Sequence, residues 1–159
     1  QKDPNRKWYI LLLLCCLAVL TRYILFKHPL SYYRHHLFSD IERYTVQEGL
    51  RHANFKLFYT IKMYTSGHVS REMEMANIWG NIIGFVPVGI LLPLSFPFFR
   101  NFFVTLFSIF LLSLAYETCQ LYLGLGVFDV DDLMLNTIGG TAGYLMYALA
   151  RVLRGPVQR

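Results

Sequence analysis

Charged residues are scarce in this sequence. Only 16% of its 159 residues are Asp, Glu, Lys or Arg, and 55% are hydrophobic, whereas soluble domains carry about 25% charged and roughly 45–50% apolar residues. This shortage excludes an ordinary water-soluble domain. The apolar residues form long runs, which predict an integral membrane protein. A chain of this length is expected to form one membrane domain, residues 1–159.

Cysteines and flexible linkers are also few. The three cysteines, Cys15, Cys16 and Cys119, lie inside apolar runs, which excludes an extracellular fold held together by disulfides. No linker rich in Pro, Gly and Ser, no low-complexity tract and no internal repeat is present. The net charge of +5 forms no basic stripe on a soluble fold, so no nucleic-acid partner is predicted. The five histidines follow no known metal-ligand spacing, and neither a metal nor a cofactor is predicted.

Four apolar runs are each long enough to cross a bilayer, which takes about 20 helical residues. They are residues 8–26, 78–96, 102–122 and 133–153, and they predict an all-α bundle of four transmembrane helices. Between the first two lies an extramembrane cap, residues 27–77, which mixes basic side chains with aromatic rings as the lipid headgroup zone favours. Alternation of large apolar residues from Phe55 to Met63 allows a short strand in this cap.

The distribution of Lys and Arg predicts the orientation of the bundle. Short loops rich in these residues stay in the cytoplasm, whereas long segments cross largely regardless of their charge. The connection 123–132 contains neither Lys nor Arg. The chain ends and the turn between the second and third spans contain seven: Lys2, Arg6, Lys7, Arg100, Arg151, Arg154 and Arg159. We therefore expect both termini in the cytoplasm and the cap, residues 27–77, on the extracellular side.

Polar residues occupy corresponding ends of three spans. Asn81 lies near the start of the second span, Glu117 and Gln120 near the end of the third, and Asp132 and Asn136 at the start of the fourth. Because consecutive spans run antiparallel, these side chains are expected at one end of the bundle, in the outer leaflet under this orientation. A carboxyl group inside a span is costly and indicates function by default.

Local roles account for part of this polar set. Asp129 is predicted to cap the fourth helix. The carboxylate of Asp132, in the first turn, is stabilised by the positive end of the dipole of this helix. Neither role explains Glu117, which lies about a turn and a half inside the third span. An alternative is that the acidic and amide side chains only join helices by hydrogen bonds. Gly139 and Gly143 form a GxxxG pair, which lets helix backbones approach closely.

In their order along the chain, these motifs resemble the VanZ-like family. The resemblance covers roughly residues 50–150 and rests on four motifs: Asn54-Phe-Lys-Leu57-Phe58, with Leu57 where the family has proline; Asn81-x-x-x-Phe85-x-Pro87-x-Gly89; Glu117-x-x-Gln120; and Asp129-x-x-Asp132-x-x-x-Asn136-x-x-Gly139-Gly140. The family takes its name from a membrane protein that lowers susceptibility to teicoplanin without altering the D-Ala terminus of the peptidoglycan precursor. The resemblance implies a bacterial plasma-membrane protein linked to lipoglycopeptide resistance.

The first functional hypothesis is a non-enzymatic protein that binds an amphiphilic ligand in an outer-leaflet polar pocket. The ligand would be a membrane phospholipid, a lipid-linked cell-wall precursor or the lipoglycopeptide itself. Basic side chains of the cap would meet phosphate, and the pocket would hold polar headgroup atoms. The predicted ligand-binding residues are Asn81, Glu117, Gln120, Asp129, Asp132 and Asn136.

Two other hypotheses use the same carboxylates. In a membrane-embedded enzyme, Glu117 is the candidate catalytic residue. It would hold Mg²⁺ against a lipid phosphate together with Asp129, Asp131 and Asp132. No nucleophile and base are evidently paired in the sequence, so the prediction leans away from catalysis. In a small transporter, Glu117 would carry protons, but four spans are few, and such a transporter would have to be an oligomer.

Overall fold

The described part of the chain folds into α-helices. A computed structural model describes residues 4–26, 29–35, 46–66 and 71–154, with the backbone alone for His35 and residues 71–74. Within these ranges the α-helices are α1 (Arg6–Ile24), α2 (Leu30–His35), α3 (Val46–His52), α4 (Tyr59–Thr65), α5 (Arg71–Ser95), α6 (Phe102–Leu123) and α7 (Val130–Leu153). A 3-10 turn at Pro97–Arg100 joins α5 to α6. The predicted all-α class is confirmed.

Among the residues that the structure describes, three helices are long and apolar enough to cross a membrane. They are α1, the Met75–Ser95 portion of α5, and α6, so the chain is a multi-pass membrane protein. The predicted fourth span corresponds to α7, which has 24 residues but falls outside this apolar set. The reason is the composition of its inner face, where Asn136 and three glycines are buried. Small and polar residues of this kind suit close helix packing, and they lower the mean hydropathy of the helix.

Several predicted boundaries need correction. Helix α5 begins at Arg71, within the predicted cap, and its apolar portion begins at Met75, three residues before the predicted second span. The predicted strand is wrong, because half of the alternating stretch forms α4. The isolated bridge that the described ranges contain pairs Asn54 with Asp129. Part of the predicted cap, residues 27–28, 36–45 and 67–70, lies outside the described residues.

Helix α7 packs against α5 at backbone contact. A Cβ atom built on any of three glycines at this contact would lie 2.0 Å from a carbonyl oxygen of the other helix: Gly139 against Ile82, Gly143 against Val86, and Gly89 against Gly140. No side chain fits at such a distance, so glycine is required at all three positions. The close approach predicted from the GxxxG pair is confirmed, and α5 and α7 form the most extensive helix pairing in the described chain.

Helices α1 and α6 run antiparallel to α5 and α7. Arg6 Nε donates to the carbonyl oxygen of Ser95 at 2.8 Å, which places the start of α1 beside the end of α5. Gln120 Nε2 donates to the carbonyl oxygen of Ile24 at 3.0 Å, which places the ends of α1 and α6 together. We call the end with Arg6 and Arg100 the basic end, and the end with Glu117 and Asp132 the polar end.

Candidate functional site at the polar end

Asp131 binds the start of helix α4. Its carboxylate is fully buried and accepts hydrogen bonds from the backbone N–H groups of Phe58 at 2.5 Å, Thr60 at 2.8 Å and Ile61 at 3.2 Å. The first N–H groups of a helix have no partner inside the helix. Asp131, on α7, therefore caps α4 from about 70 residues away in sequence.

Asp129 holds the chain just before α4. Its two carboxylate oxygens accept from Asn54 Nδ2 at 2.8 Å and from Thr60 Oγ1 at 2.5 Å. The backbone adds two bonds, from Asn54 N–H to the oxygen of Phe128 at 2.8 Å and from Val130 N–H to the oxygen of Asn54 at 3.1 Å. We call residues 54–61, with their bonds to Asp129 and Asp131, the clasp.

Asp129 also caps α7, as predicted. Its Oδ1 accepts from the N–H of Asp131 at 2.8 Å, within the first turn of the helix. Glu117 Oε2 accepts from the N–H of Asp129 at 3.0 Å, and Glu117 is only 2% exposed. One continuous set of hydrogen bonds therefore runs from the end of α6 through the start of α7 to the clasp.

Two further side-chain pairs join α7 to α5 and α6 deeper in the bundle. Asn81 Nδ2 donates to Asp132 Oδ1 at 2.6 Å, which links α5 to α7. Asn136 Nδ2 donates to Ser113 Oγ at 2.9 Å, which links α7 to α6. Ser113 lies one turn before Glu117 on the same face of α6, and both side chains are buried.

The amide of Asn136 is only half satisfied. Its side chain is 1% exposed, and no donor among the described residues reaches its Oδ1 atom. Exchanging the amide oxygen and nitrogen would not repair this, because Ser113 would then meet the oxygen and leave the NH₂ group unpaired. A buried polar atom without a partner costs about 1–3 kcal/mol, so the position favours occupation by a hydrogen-bonding group.

Tyr64, on the inner side of α4, lies near the carboxylates of Asp132 and Asp129. Burial, followed by the negative charges of Asp132 and Asp129, raises the pKa of its phenol above the usual range. The phenol therefore stays protonated at neutral pH and remains a hydrogen-bond donor beside the site. Tyr64 and Thr60 were not predicted from the sequence, because no short motif connects α4 with α7.

The structure brings most of the predicted residues together, in unequal roles. Glu117, Asp129, Asp132, Asn81 and Asn136 lie at the polar end and are linked through α7. Gln120 is 3% exposed and binds a backbone carbonyl of α1. Asp131, predicted only as a metal ligand of the enzyme hypothesis, is the residue that anchors α4.

A family model described as VanZ/LLP1 matches residues 9–151, which is most of the chain.

The chain belongs to the VanZ/LLP1 family.

A curated relative, "Protein VanZ" of Enterococcus faecium, is 34% identical over 70 residues, which are 44% of this chain and 43% of that protein. The alignment therefore spans less than half the length of the relative. No solved structure matches the chain.

The motifs by which the sequence resembles the VanZ-like family converge at this site. Asn54, Asn81, Glu117, Asp129, Asp132 and Asn136 come from four separate parts of the chain, and each makes a hydrogen bond at the polar end. Asn54 contacts Asp129 although Leu57 stands where the family has proline. In this member of the VanZ/LLP1 family, part of the motif set therefore holds the clasp on the helices.

No metal centre is evident in the described ranges. Among the side chains described, those of residues 4–26, 29–34, 46–66 and 75–154, no three His, Cys, Asp or Glu lie close enough together to hold an ion. The carboxylates of Asp129 and Asp131 are engaged by the clasp. The magnesium-dependent hypothesis therefore gains no supporting observation from this site.

Proposed function

We propose that this protein binds the headgroup of a lipid-linked or otherwise amphiphilic ligand at its polar end, and that this binding underlies a role in resistance to teicoplanin. The observation that carries the proposal is the buried Oδ1 atom of Asn136, which has no hydrogen-bond donor among the described residues. The amide nitrogen of Asn136 binds Ser113, which lies one helical turn before Glu117 on α6. A buried polar atom of this kind inside a helix bundle favours a ligand group that supplies the missing bond.

The chemistry of the site indicates which headgroups would fit. Asp132, Glu117 and the Asn136 oxygen are hydrogen-bond acceptors, so the ligand should carry donors such as hydroxyl, amide or ammonium groups. Lys56 and Lys62 are exposed on the clasp side of the site and would attract phosphate. A lipid-linked cell-wall precursor, an amine-bearing phospholipid and the lipoglycopeptide each combine these features with an apolar tail or surface.

The proposal includes a fourth membrane span and a fixed orientation in the bacterial plasma membrane. Helix α7 would cross the bilayer, since its outward residues are large and apolar, among them Ile138, Leu145, Leu149 and Val152. Arg6 and Arg100 mark the basic end, which belongs in the cytoplasm by the positive-inside rule. The polar end would then lie in the outer leaflet, where teicoplanin and cell-wall precursors meet.

The orientation is testable by cysteine labelling in intact cells. Cys15, Cys16 and Cys119 are first replaced by alanine, and a single cysteine is then placed at Ser66 or at Phe98. We expect an impermeant maleimide to label Ser66→Cys, because Ser66 is exposed at the end of α4. Phe98→Cys, in the exposed turn at the basic end, should react only after the cells are opened. The opposite labelling pattern would move the polar end to the cytoplasm and remove direct contact with the drug.

The functional role of Glu117 is tested by Glu117→Gln in a teicoplanin-susceptible host. Glutamine keeps a carbonyl oxygen that can accept the N–H of Asp129, so we expect folding and expression to be retained. Protection against teicoplanin should fall to that of cells without the protein. Lipids bound to the purified protein, identified by mass spectrometry, should also be lost from the variant.

A matched control is Glu48→Gln, which removes an exposed carboxylate on α3 and leaves in place the hydrogen bonds of Glu117, Asp129 and Asp132 described above. It should protect cells as the wild type does. If Glu117→Gln expressed normally and still gave full protection, the cluster would be structural only, because replacing a buried charge by a neutral hydrogen-bonding group is neutral or stabilising in that case.

A further inference from the structure

The clasp region exposes a run of large apolar side chains. Phe55, Leu57, Phe58, Tyr59 and Met63 are each 40–60% exposed, although they lie outside the helices that are apolar enough to cross the membrane. A water-facing surface rarely keeps so many apolar side chains in one patch. We call this set, together with Lys56 and Lys62, the aromatic face.

The clasp prevents these side chains from turning inward. Thr60, Ile61 and Tyr64, on the opposite side of α4, are partly buried, and the backbone of α4 is bound to Asp131 through three hydrogen bonds. The orientation of the short helix is therefore set by buried contacts. Tyr59 and Met63 of α4 are therefore directed outward.

The clasp also fixes the level of the aromatic face along the bundle. Asn54 pairs with the backbone on both sides of Asp129, and Asp129 is bound to Glu117 near the end of α6. Residues 54–61 are thus attached where the spanning helices end. That level corresponds to the boundary between hydrocarbon and headgroups, where aromatic rings and lysines are enriched.

The charge of the aromatic face matches a phospholipid surface. Lys56 and Lys62 are exposed among the apolar side chains, whereas Asp129 and Asp131, directly beneath, are buried. Long lysine side chains lay their apolar stems along hydrocarbon while the ammonium group reaches phosphate.

From these observations we infer that the aromatic face is embedded in the headgroup layer of the bilayer that the helices cross, with Lys56 and Lys62 bound to anionic phospholipid phosphates. This contact would hold the polar end open to ligands that arrive along the membrane plane. The inference concerns bilayer depth and does not depend on which leaflet the polar end occupies or on Glu117 binding a ligand.

Fluorescence quenching by brominated lipids tests the inference on the full chain. Trp8 and Trp79 are replaced by phenylalanine, and one indole is introduced by Tyr59→Trp or, one turn later on the same face, by Met63→Trp. In vesicles of phosphatidylcholine and phosphatidylglycerol, bromines near the glycerol end of the acyl chain should quench either indole at least about twofold more than bromines at mid-chain. A protein that keeps only Trp79, which is exposed on a spanning helix, is the control for an indole facing lipid.

The lysines are tested by adding Lys56→Gln and Lys62→Gln to the Tyr59→Trp protein. We expect phosphatidylglycerol to shift the indole emission to shorter wavelength, and the double substitution should abolish that shift. Emission at the wavelength of a water-exposed indole, with no quenching by either brominated lipid in both single-indole variants, would overturn the inference. Protection from water without lipid quenching, together with cross-linking between protein copies, would also overturn it and assign the face to a second copy.

Discussion

Gly143→Ala is expected to prevent stable packing of the bundle. The added Cβ would lie 2.0 Å from the carbonyl oxygen of Val86 and 2.9 Å from its carbonyl carbon. These are backbone atoms of α5, so no side-chain rotation can relieve the overlap, and α5 and α7 must move apart. Overpacked cores typically lose about 1–3 kcal/mol. We expect a loss at or above the upper end of that range, because Gly139 and Gly89 make equally close contacts along the same pair of helices.

The matched control is Gly80→Ala on α5, where an added Cβ would meet no atom within 4 Å. Alanine favours a helix over glycine by about 0.5–1 kcal/mol, so this variant should melt at or slightly above the wild-type temperature in detergent. Gly143→Ala should melt far lower or elute as an aggregate. Equal melting temperatures for the two variants would mean that α5 and α7 do not touch at Gly143.

Helical periodicity in the sequence was sufficient to predict most of the polar end. Asn81, Glu117 and Asp132 each lie near one end of an apolar run. Because consecutive spans run antiparallel, these positions predict from the sequence alone that the three residues meet at one end of the bundle. The glycine contact followed from the GxxxG spacing for the same reason. Both predictions depend on local sequence patterns that a regular helix converts directly into a shared face.

The clasp could not be predicted in this way. Its bonds join residues about 70 positions apart, and the alternating pattern around Phe55 indicated a strand where the structure has a turn and helix α4. The buried carboxylate of Asp131 stabilises the start of a helix at Phe58, Thr60 and Ile61 because it accepts hydrogen bonds from their three N–H groups. This distant interaction outweighs the local preference for a strand. The only local signal was the short spacing of Asp129 and Asp131, which suits a cap and a second acceptor in one turn.

The acidic residues at the start of α7 therefore divide into two roles. Asp129 and Asp131 have their carboxylates occupied by the clasp, whereas Asp132 binds the amide of Asn81 within the bundle. Two adjacent aspartates thus offer an internal comparison. A substitution at Asp131 should affect the extramembrane segment, and the same substitution at Asp132 should affect the proposed ligand site.

Asp131→Asn is expected to release α4 from the bundle. Asparagine has nearly the same shape, but one acceptor oxygen is replaced by an NH₂ group that faces backbone N–H donors. Hydrogen bonds to a charged group contribute about 1.5–3 kcal/mol each, and three such bonds end on Asp131. The loss should exceed the stability of this short segment, so that α4 detaches while the spanning helices stay packed.

Limited trypsin digestion of the purified protein measures this release, because Lys56 and Lys62 lie on either side of the bound N–H groups and are exposed. We expect cleavage after these two lysines to be at least about tenfold faster in Asp131→Asn than in the wild type, which corresponds to about 1.4 kcal/mol of lost local stability. Asp132→Asn, the isosteric neighbour, should be cleaved at the wild-type rate, since the clasp bonds of Asp129 and Asp131 remain. Equal rates for the wild type and Asp131→Asn would show that α4 is held by contacts other than this carboxylate.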